Sequence, residues 1–500
     1  MNLSRKYLVV LILVAFLIGG ALSATAVSMV ANGDEPNEET ASEESNDTDQ
    51  SSDSSTEDNS DSEDVSSDAS AEVDQINQIV DAINEYYIDD VDRETLYEGA
   101  LQGVVNALDD PFSQYMDEEM TDQFNQSLES SFEGIGAEVT ERDGFITVVS
   151  PIKDSPAEAA GLRPNDRILA VDGESVEDQT VQEAVQIIRG EKGTDVVLTI
   201  QRPGDDETFD VTITRDEIPL ETVHSSVQEY NGNTVGVLEI TSFGEGTAQE
   251  FDDALTSLEE DENIDGLVLD VRGNPGGLFN AVENMLSHFV SDEDPFVYTK
   301  RHDAERDPYY VDGEGKPDYP VTVLIDQGSA SASEILAAAL NEIHGYDLVG
   351  QTTFGKGTVQ QTMPLNEGML KLTVFNWITP DGNLIQDKGV DPTIEQRQPE
   401  YFYTGLIQSD EPLEYDMTGN EVEKLQIMLE GLGYDVSRTD GYFDMDTVAA
   451  VEHFQDENGL DVTGSVGEET ELQLEDMILE AVQNPENDVQ LDRAIEALYE

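Results

Sequence analysis

The sequence predicts a multidomain α+β protein built around a layered α/β domain, and three patterns carry that prediction. First, two continuous apolar runs, 266–271 and Val321–Ile325, are of the kind buried on both faces of a sheet, and they alternate with helical patterns over 248–259, 280–289 and 334–342. Second, short β-patterned runs between Phe132 and Arg215 (145–149, Arg167–Val171 and 196–200) are punctuated by Gly and Pro, with one helix-like run at Val181–Ile188. Third, apolar residues recur at helical spacing towards both ends of the chain. A length of 500 residues accommodates three or four domains at about 150 residues each.

The first 32 residues open with Arg5 and Lys6 ahead of an uncharged stretch, with Ala24-Thr25-Ala26 as a small-residue cleavage site. This reads as an export signal, either cleaved as a signal peptide or kept as a membrane anchor, since residues 7–30 are long enough to span a bilayer, which takes about 20. With the positive residues at the start, the rest of the chain lies outside the membrane. Residues 33–71, rich in Ser, Asp, Glu, Asn and Thr, bury too little apolar surface to offset ordering entropy and are expected to be a disordered acidic linker.

Acidic residues number 110 against 23 basic ones, and only 15 of the acids lie in 34–71, so the folded domains are themselves strongly acidic. Such a surface repels nucleic acid and suits work in high salt, where screening relieves self-repulsion; a halophilic source is expected. The absence of cysteine excludes disulfides, thiolate metal sites and a cysteine nucleophile. No cofactor or metal is called for.

Within 72–131, Ile76, Ile79, Val80, Ile83 and Tyr87 recur at helical spacing, and so do Leu96, Ala100, Leu101, Val104, Val105 and Leu108 before Asp109-Asp110-Pro111 ends the pattern. Two amphipathic helices are expected there. Over 132–215, Gly134-Ile135-Gly136, the block 155–162 (SPAEAAGL) and the block 164–173 (PNDRILAVDG) stand in an order that resembles a PDZ domain. A Gly-apolar-Gly turn exposes successive backbone N–H groups, which can hold a peptide's terminal carboxylate while the peptide adds as a strand. By itself such a triplet is more often a tight turn.

The α/β region, 216–400, holds the candidate chemistry. Ser331 lies in 328–334 (GSASASE), between the second apolar run and a helical pattern, so a hydroxyl is presented at a helix N-terminus. The local motif alone favours a capping box, because Ser331 and Glu334 stand at Ser-x-x-Glu spacing. A serine nucleophile needs a base, and none of His224, His288, His302, His344 and His453 stands in a motif that would build a Ser-His-Asp arrangement. A lysine in a dry pocket can lose its proton and serve instead, and Lys356 follows between two glycines. Residues 350–356 also fit most of a Walker A loop. However, Gly357 stands where a Mg²⁺-binding Ser or Thr is required, and the next residues read as a strand rather than a helix.

The strings 329–335 (SASASEI) and 354–360 (FGKGTVQ) together resemble the C-terminal processing peptidases, or tail-specific proteases. The resemblance covers about 72–396 and implies a ClpP/crotonase-like protease core with an inserted PDZ domain. It implies Ser331 as nucleophile, Lys356 as base and Gln360 as the residue that orients Lys356. It also implies an oxyanion hole from the N–H of Ala332 with that of Gly276 or Gly277, and N-terminal helices that help form a homodimer. The bland reading of Asn274-Pro275-Gly276-Gly277 is a turn, and Asp270 with Arg272 reads as a structural ion pair.

In 415–478, Gln426, the block 429–434 (LEGLGY), 440–443 (DGYF), Phe454-Gln455 and Gly459-Leu460 with Gly464 together resemble a three-helix peptidoglycan-binding domain. A small helical domain that merely packs on the protease is its competitor. Because the module is acidic, glycan contact is expected through aromatic faces such as Tyr434, Tyr442 and Phe443. Residues 479–500 are expected to be a tail. The chain therefore reads as an exported serine endopeptidase that takes protein C-terminal tails through its PDZ domain and is held at the cell wall in the cell envelope. The alternative is a catalytically idle scaffold joining PDZ ligands to peptidoglycan.

Overall fold

The computed structural model describes residues 64–500 apart from 143, 154, 177–178, 203–207, 302–303, 314 and 410. The export segment 1–32 and most of the acidic linker lie outside the described residues. The remainder of the linker expected to be disordered is instead helical, because helix Asp64–Tyr86 starts before the apolar repeat at Val73. A helix nucleated by that repeat extends towards the N-terminus at little cost per residue. The described residues form two compact units, one of 64–122 with 360–373 and the other of 123–359 with 374–500.

In the smaller unit, helices Asp64–Tyr86 and Arg93–Asn106 lie against each other, joined by hydrogen bonds from Tyr97 to Asn77 (2.8 Å) and from Arg93 to Asp81 (2.8 Å). Asp92 starts the second helix by accepting the Glu94 N–H. Of the two apolar stripes only Val80 and Val105 are buried, while Ile79, Tyr87, Leu101, Val104 and Leu108 stand exposed. Strand Gln114–Met116 pairs antiparallel with 369–371.

In the larger unit, strands Ala137–Arg142, Phe145–Pro151, Arg167–Val171, Asp195–Gln201 and Thr208–Thr214 form an antiparallel sheet in that order. It is closed by helices Pro156–Ala159 and Val181–Ile188 over Ile146, Ile168, Leu198 and Ile200. The capping box of Thr180 and Glu183 fixes the start of the second helix. The chain enters and leaves this domain side by side, since Ser131–Gly134 pairs antiparallel with Asp216–Pro219.

The main sheet runs in the order Val223–Tyr230, Asn233–Ile240, Gly266–Asp270, Val321–Ile325, Asp347–Gly350, Ile394–Glu395, with the first pair antiparallel and the rest parallel. Its strands alternate between two cores with the period of two that a sheet imposes. Leu267, Leu269, Val323 and Ile325 face helices Thr247–Glu260, Phe279–Leu286 and Ala332–His344. Val235, Val237, Val268, Leu324 and Val349 face a different helix, Val489–Ala497, through Leu491, Ala494 and Ile495, together with Leu498 just past its end. The expected C-terminal tail is therefore corrected. Residues 489–497 form the second apolar cover of the sheet, because 268, 324 and 349 would otherwise present a bare hydrophobic face to water.

Between the last strand of this sheet and that closing helix the chain builds a small helical module from Asn420–Gly431, Met445–Glu457 and Glu468–Gln483 around Leu425, Leu429, Phe443, Val451, Phe454 and Leu474. Two buried glutamines hold its loops. Gln426 donates to the carbonyl of Tyr442 (2.8 Å) and the hydroxyl of Thr447 (2.9 Å) and accepts the Gly441 N–H (3.0 Å). Gln455 repeats the device, donating to the carbonyl of Ser465 (2.8 Å) and accepting the N–H groups of Thr463 (2.9 Å) and Gly464 (3.0 Å). The expectation of an aromatic face at Phe443 is wrong, because this ring is fully buried in the module core. Tyr434 is nearly buried as well and donates to Glu457. Tyr442 is partly exposed, under the Arg438 guanidinium.

Candidate active site

Strand Val321–Ile325 is interior to the sheet and ends in a corner held by one carboxylate. Asp326 Oδ1 accepts the N–H groups of Gly273 (2.8 Å), Gly328 (2.9 Å) and Ser329 (3.1 Å), and the Ser329 hydroxyl donates to the Val271 carbonyl (2.7 Å). A Cβ on Gly328 would stand 2.7 Å from the Gly273 Cα, so only glycine lets the two corners touch. The chain then passes through Ser331 at φ 56° and ψ −109° and turns into helix Ala332–His344. Positive φ in a residue with a Cβ costs of order 1–3 kcal/mol and persists only where surrounding contacts impose it.

Glu334 imposes it. Its side chain is fully buried, and it accepts four hydrogen bonds from two separated segments. Oε2 takes the Ser331 and Lys356 N–H groups at 2.8 Å each, while Oε1 takes the Thr353 hydroxyl at 2.6 Å and the Gly355 N–H at 2.7 Å. The backbones of Ser331 and Lys356 are therefore tied to the same oxygen. Burial pushes the Glu334 carboxyl above its ordinary value, and the four donors pull against that rise. The Ser-x-x-Glu spacing foretold the bond from the Ser331 N–H to Glu334; nothing local foretold those that 353, 355 and 356 donate to it. The lysine loop itself is pinned by close approach, since a Cβ on Gly357 would lie 2.1 Å from the Gln386 nitrogen.

Beside the serine runs the loop 273–277. Asn274, fully buried, donates to the Ile240 carbonyl (2.8 Å) and accepts the Gly276 N–H (2.8 Å), while its own carbonyl takes the Ala330 N–H (2.9 Å) and the Ser333 hydroxyl (2.9 Å). The loop abuts the serine, for a Cβ on Gly276 would lie 2.8 Å from the Ser331 Cβ and 3.0 Å from the Ala332 nitrogen. Gly277, at φ 152°, is packed so that a Cβ would meet the Phe243 carbonyl oxygen at 2.2 Å. The segment is thus more than a turn. Asp270 and Arg272 do pair (2.6 Å), and the pair extends further to Asp488 (2.7 Å).

Gln360 belongs to the smaller unit, where its amide donates to the Thr373 hydroxyl at 3.2 Å. In the PDZ-like region, Ile135 is buried and its carbonyl accepts the Ala157 N–H (2.8 Å). The Gly136 carbonyl takes the Ile152 N–H (2.9 Å) and the Ser155 hydroxyl (2.8 Å). Gly136 has φ 74°, and a Cβ there would meet the Ser155 Cβ at 2.4 Å. The glycine and the SPAEAAGL block are therefore one packed unit.

Residues 234–396 match peptidase family S41, 25–120 the N-terminal domain of the activating protease CtpB, 147–202 a PDZ domain and 418–474 a peptidoglycan binding domain. The carboxy-terminal processing protease CtpB of Bacillus subtilis is 47% identical over 428 residues, which is 85% of this chain and 89% of that protein. The carboxy-terminal processing protease CtpA of the same organism is 40% identical over 86% of this chain and 90% of its own length. Among solved structures, a photosystem II D1 C-terminal processing protease is 27% identical, covering 65% of this chain and 93% of that one, with a TM-score of 0.40.

Proposed function

This chain belongs to peptidase family S41 as a carboxy-terminal processing serine protease with a PDZ and a peptidoglycan-binding domain, and from that premise we propose that Ser331 is its nucleophile and Lys356 its general base. The observation that carries this reading is the buried Glu334 carboxylate, whose one oxygen takes the main-chain N–H of both residues while holding Ser331 at positive φ. The neutral Lys356 amine takes the Ser331 hydroxyl proton as Oγ attacks the scissile carbonyl carbon. The carbonyl oxygen becomes an oxyanion that accepts from the N–H groups of Ala332 and Gly277. Gly277 is favoured over Gly276 because the Gly276 N–H is already given to Asn274. Collapse breaks the C–N bond, and the leaving amine takes the proton from Lys356. Water, deprotonated by the same amine, then hydrolyses the ester and frees Ser331.

The loop Gly134-Ile135-Gly136 takes the terminal carboxylate of the substrate's tail, supported by the packing of Gly136 on the Ser155 block. The chain is exported through its N-terminal segment, works in the cell envelope in high salt, and is retained at peptidoglycan by 418–474, where Tyr442 is the remaining aromatic candidate for glycan contact. The apolar side chains left exposed on the two N-terminal helices support a homodimer. The decisive test is cleavage of an unfolded protein with an apolar free C-terminus. Ser331→Ala and Lys356→Ala are each expected to abolish it with the fold intact, and EDTA is expected to leave the wild-type rate unchanged. Cleavage surviving in the Ser331→Ala protein would sink the assignment.

A further inference from the structure

The chain that leaves the peptidoglycan-binding module returns to the protease and grips the start of the loop beside Ser331. Arg272 precedes that loop directly and is held as a fork between two carboxylates. Its Nε donates to Asp270 Oδ1 (2.9 Å), its Nη2 to Asp270 Oδ2 (2.6 Å) and Asp488 Oδ2 (2.7 Å), and its Nη1 to Asp488 Oδ1 (3.0 Å) and Gln490 Oε1 (3.0 Å). Asp488 is also the N-cap of the closing helix, accepting the Leu491 N–H at 2.9 Å, and it takes the Gln398 amide. The Gln490 amide donates to the Gln396 carbonyl (2.7 Å). The segments that lead into and out of the module are thus clasped together on Arg272.

We infer that Asp488, far from the catalytic strings in sequence, is a positioning residue for the reaction: through Arg272 it fixes the origin of loop 273–277, and with it the Gly277 N–H. This rests on the oxyanion role proposed for that N–H. The loop is also held at Gly273, whose N–H goes to Asp326, at Asn274 and at Phe243, so what Asp488 adds is the tie at Arg272, the residue that leads into it. Asp270 alone grips Arg272 from within the same strand end, two residues away, and so cannot tie it to the rest of the fold. Asp488 does, because its helix is packed on the sheet through Leu491, Ala494 and Ile495. Burial works to raise the Asp488 carboxyl and the Arg272 hydrogen bonds and charge more than reverse it, so the carboxylate stays ionised. The second apolar cover of the peptidase sheet thus comes from chain that follows the module.

The test is steady-state cleavage of an unfolded protein with an apolar free C-terminus by full-length Asp488→Asn and Asp488→Glu, each rate corrected for the native fraction read by near-UV circular dichroism. Asp488→Asn is expected to lower kcat about 10- to 100-fold with KM within about twofold, the signature of a misplaced group rather than of lost substrate binding. Asp488→Glu keeps the charge and is expected to restore most of the loss. An unchanged corrected kcat in Asp488→Asn would overturn the inference. So would a loss confined to KM, or, if Asp488→Asn does not fold, a folded Asp488→Glu enzyme whose corrected kcat falls as far as is expected of Asp488→Asn. Ser331→Ala measured alongside separates the two claims, because cleavage by that variant defeats the site assignment whatever Asp488 does.

Discussion

Glu334 in the peptidase and Gln426 and Gln455 in the helical module are all fully or nearly fully buried polar hubs that collect loop N–H groups, yet they do so with different chemistry. Each amide both donates and accepts, so it closes a nearby loop and stays neutral at every pH. The carboxylate can only accept, so it must gather donors from elsewhere, and it draws them from the serine corner and the lysine loop, 19 to 22 residues further on. Burying a charge is costly unless several donors meet it. The module spends its buried polarity on closing itself, whereas the peptidase uses it to hold two distant backbones together under strain.

Exchanging one chemistry for the other breaks this comparison most severely at Glu334. In Glu334→Gln an NH₂ group faces backbone and hydroxyl donors, so cleavage is expected to fall at least about 100-fold, with a loss of stability of about 3 kcal/mol read from chemical denaturation. Activity within a few-fold of wild type would show that the carboxylate is only a helix cap. In the module, Gln455→Ala orphans the Thr463 and Gly464 N–H groups and is expected to cost about 1–3 kcal/mol of module stability, while kcat on a peptide substrate stays unchanged. A parallel collapse of kcat would mean that the two regions do not hold themselves together separately.

The smallest effect concerns Glu475, the module's own ionisable exception. Burial pushes its carboxyl up to about 7, helped by Glu471 and Asp476 and opposed by the Ile407 N–H and Lys424. A carboxyl raised on folding binds its proton more tightly in the folded state, so module stability should rise as pH falls from about 7 towards the ordinary carboxylate range. Calorimetry of the full chain between these limits reads the slope, and Glu475→Gln is expected to flatten it. An unaltered slope in that variant would assign the pH dependence to other groups.

Local patterns made much of the fold legible. The apolar runs at 266 and 321 became central strands because period-two burial and length together exclude a helix, and the helical patterns at 248, 280 and 334 matched Thr247–Glu260, Phe279–Leu286 and Ala332–His344 closely. What failed to show in the sequence depends on distant partners. Helix Val489–Ala497 is short and reads as a tail because the apolar face it covers lies on strands more than a hundred residues earlier. Asp270 and Arg272 read as an isolated pair because Asp488 is 216 residues from Arg272. Phe443 misled because an aromatic residue in a Gly-rich turn looks exposed, whereas this turn folds back over the module core. The proposed preference for Gly277 over Gly276 also rests on a contact, the Asn274 side chain on the Gly276 N–H.

A serine-directed fluorophosphonate tests whether the corner strained by Glu334 carries the nucleophile. After reaction with the full-length protein and peptide mapping by mass spectrometry, a single adduct on Ser331 is expected, its formation slowed at least about 100-fold in Lys356→Ala. An adduct on another serine, or labelling of Ser331 at the same rate without Lys356, would contradict it.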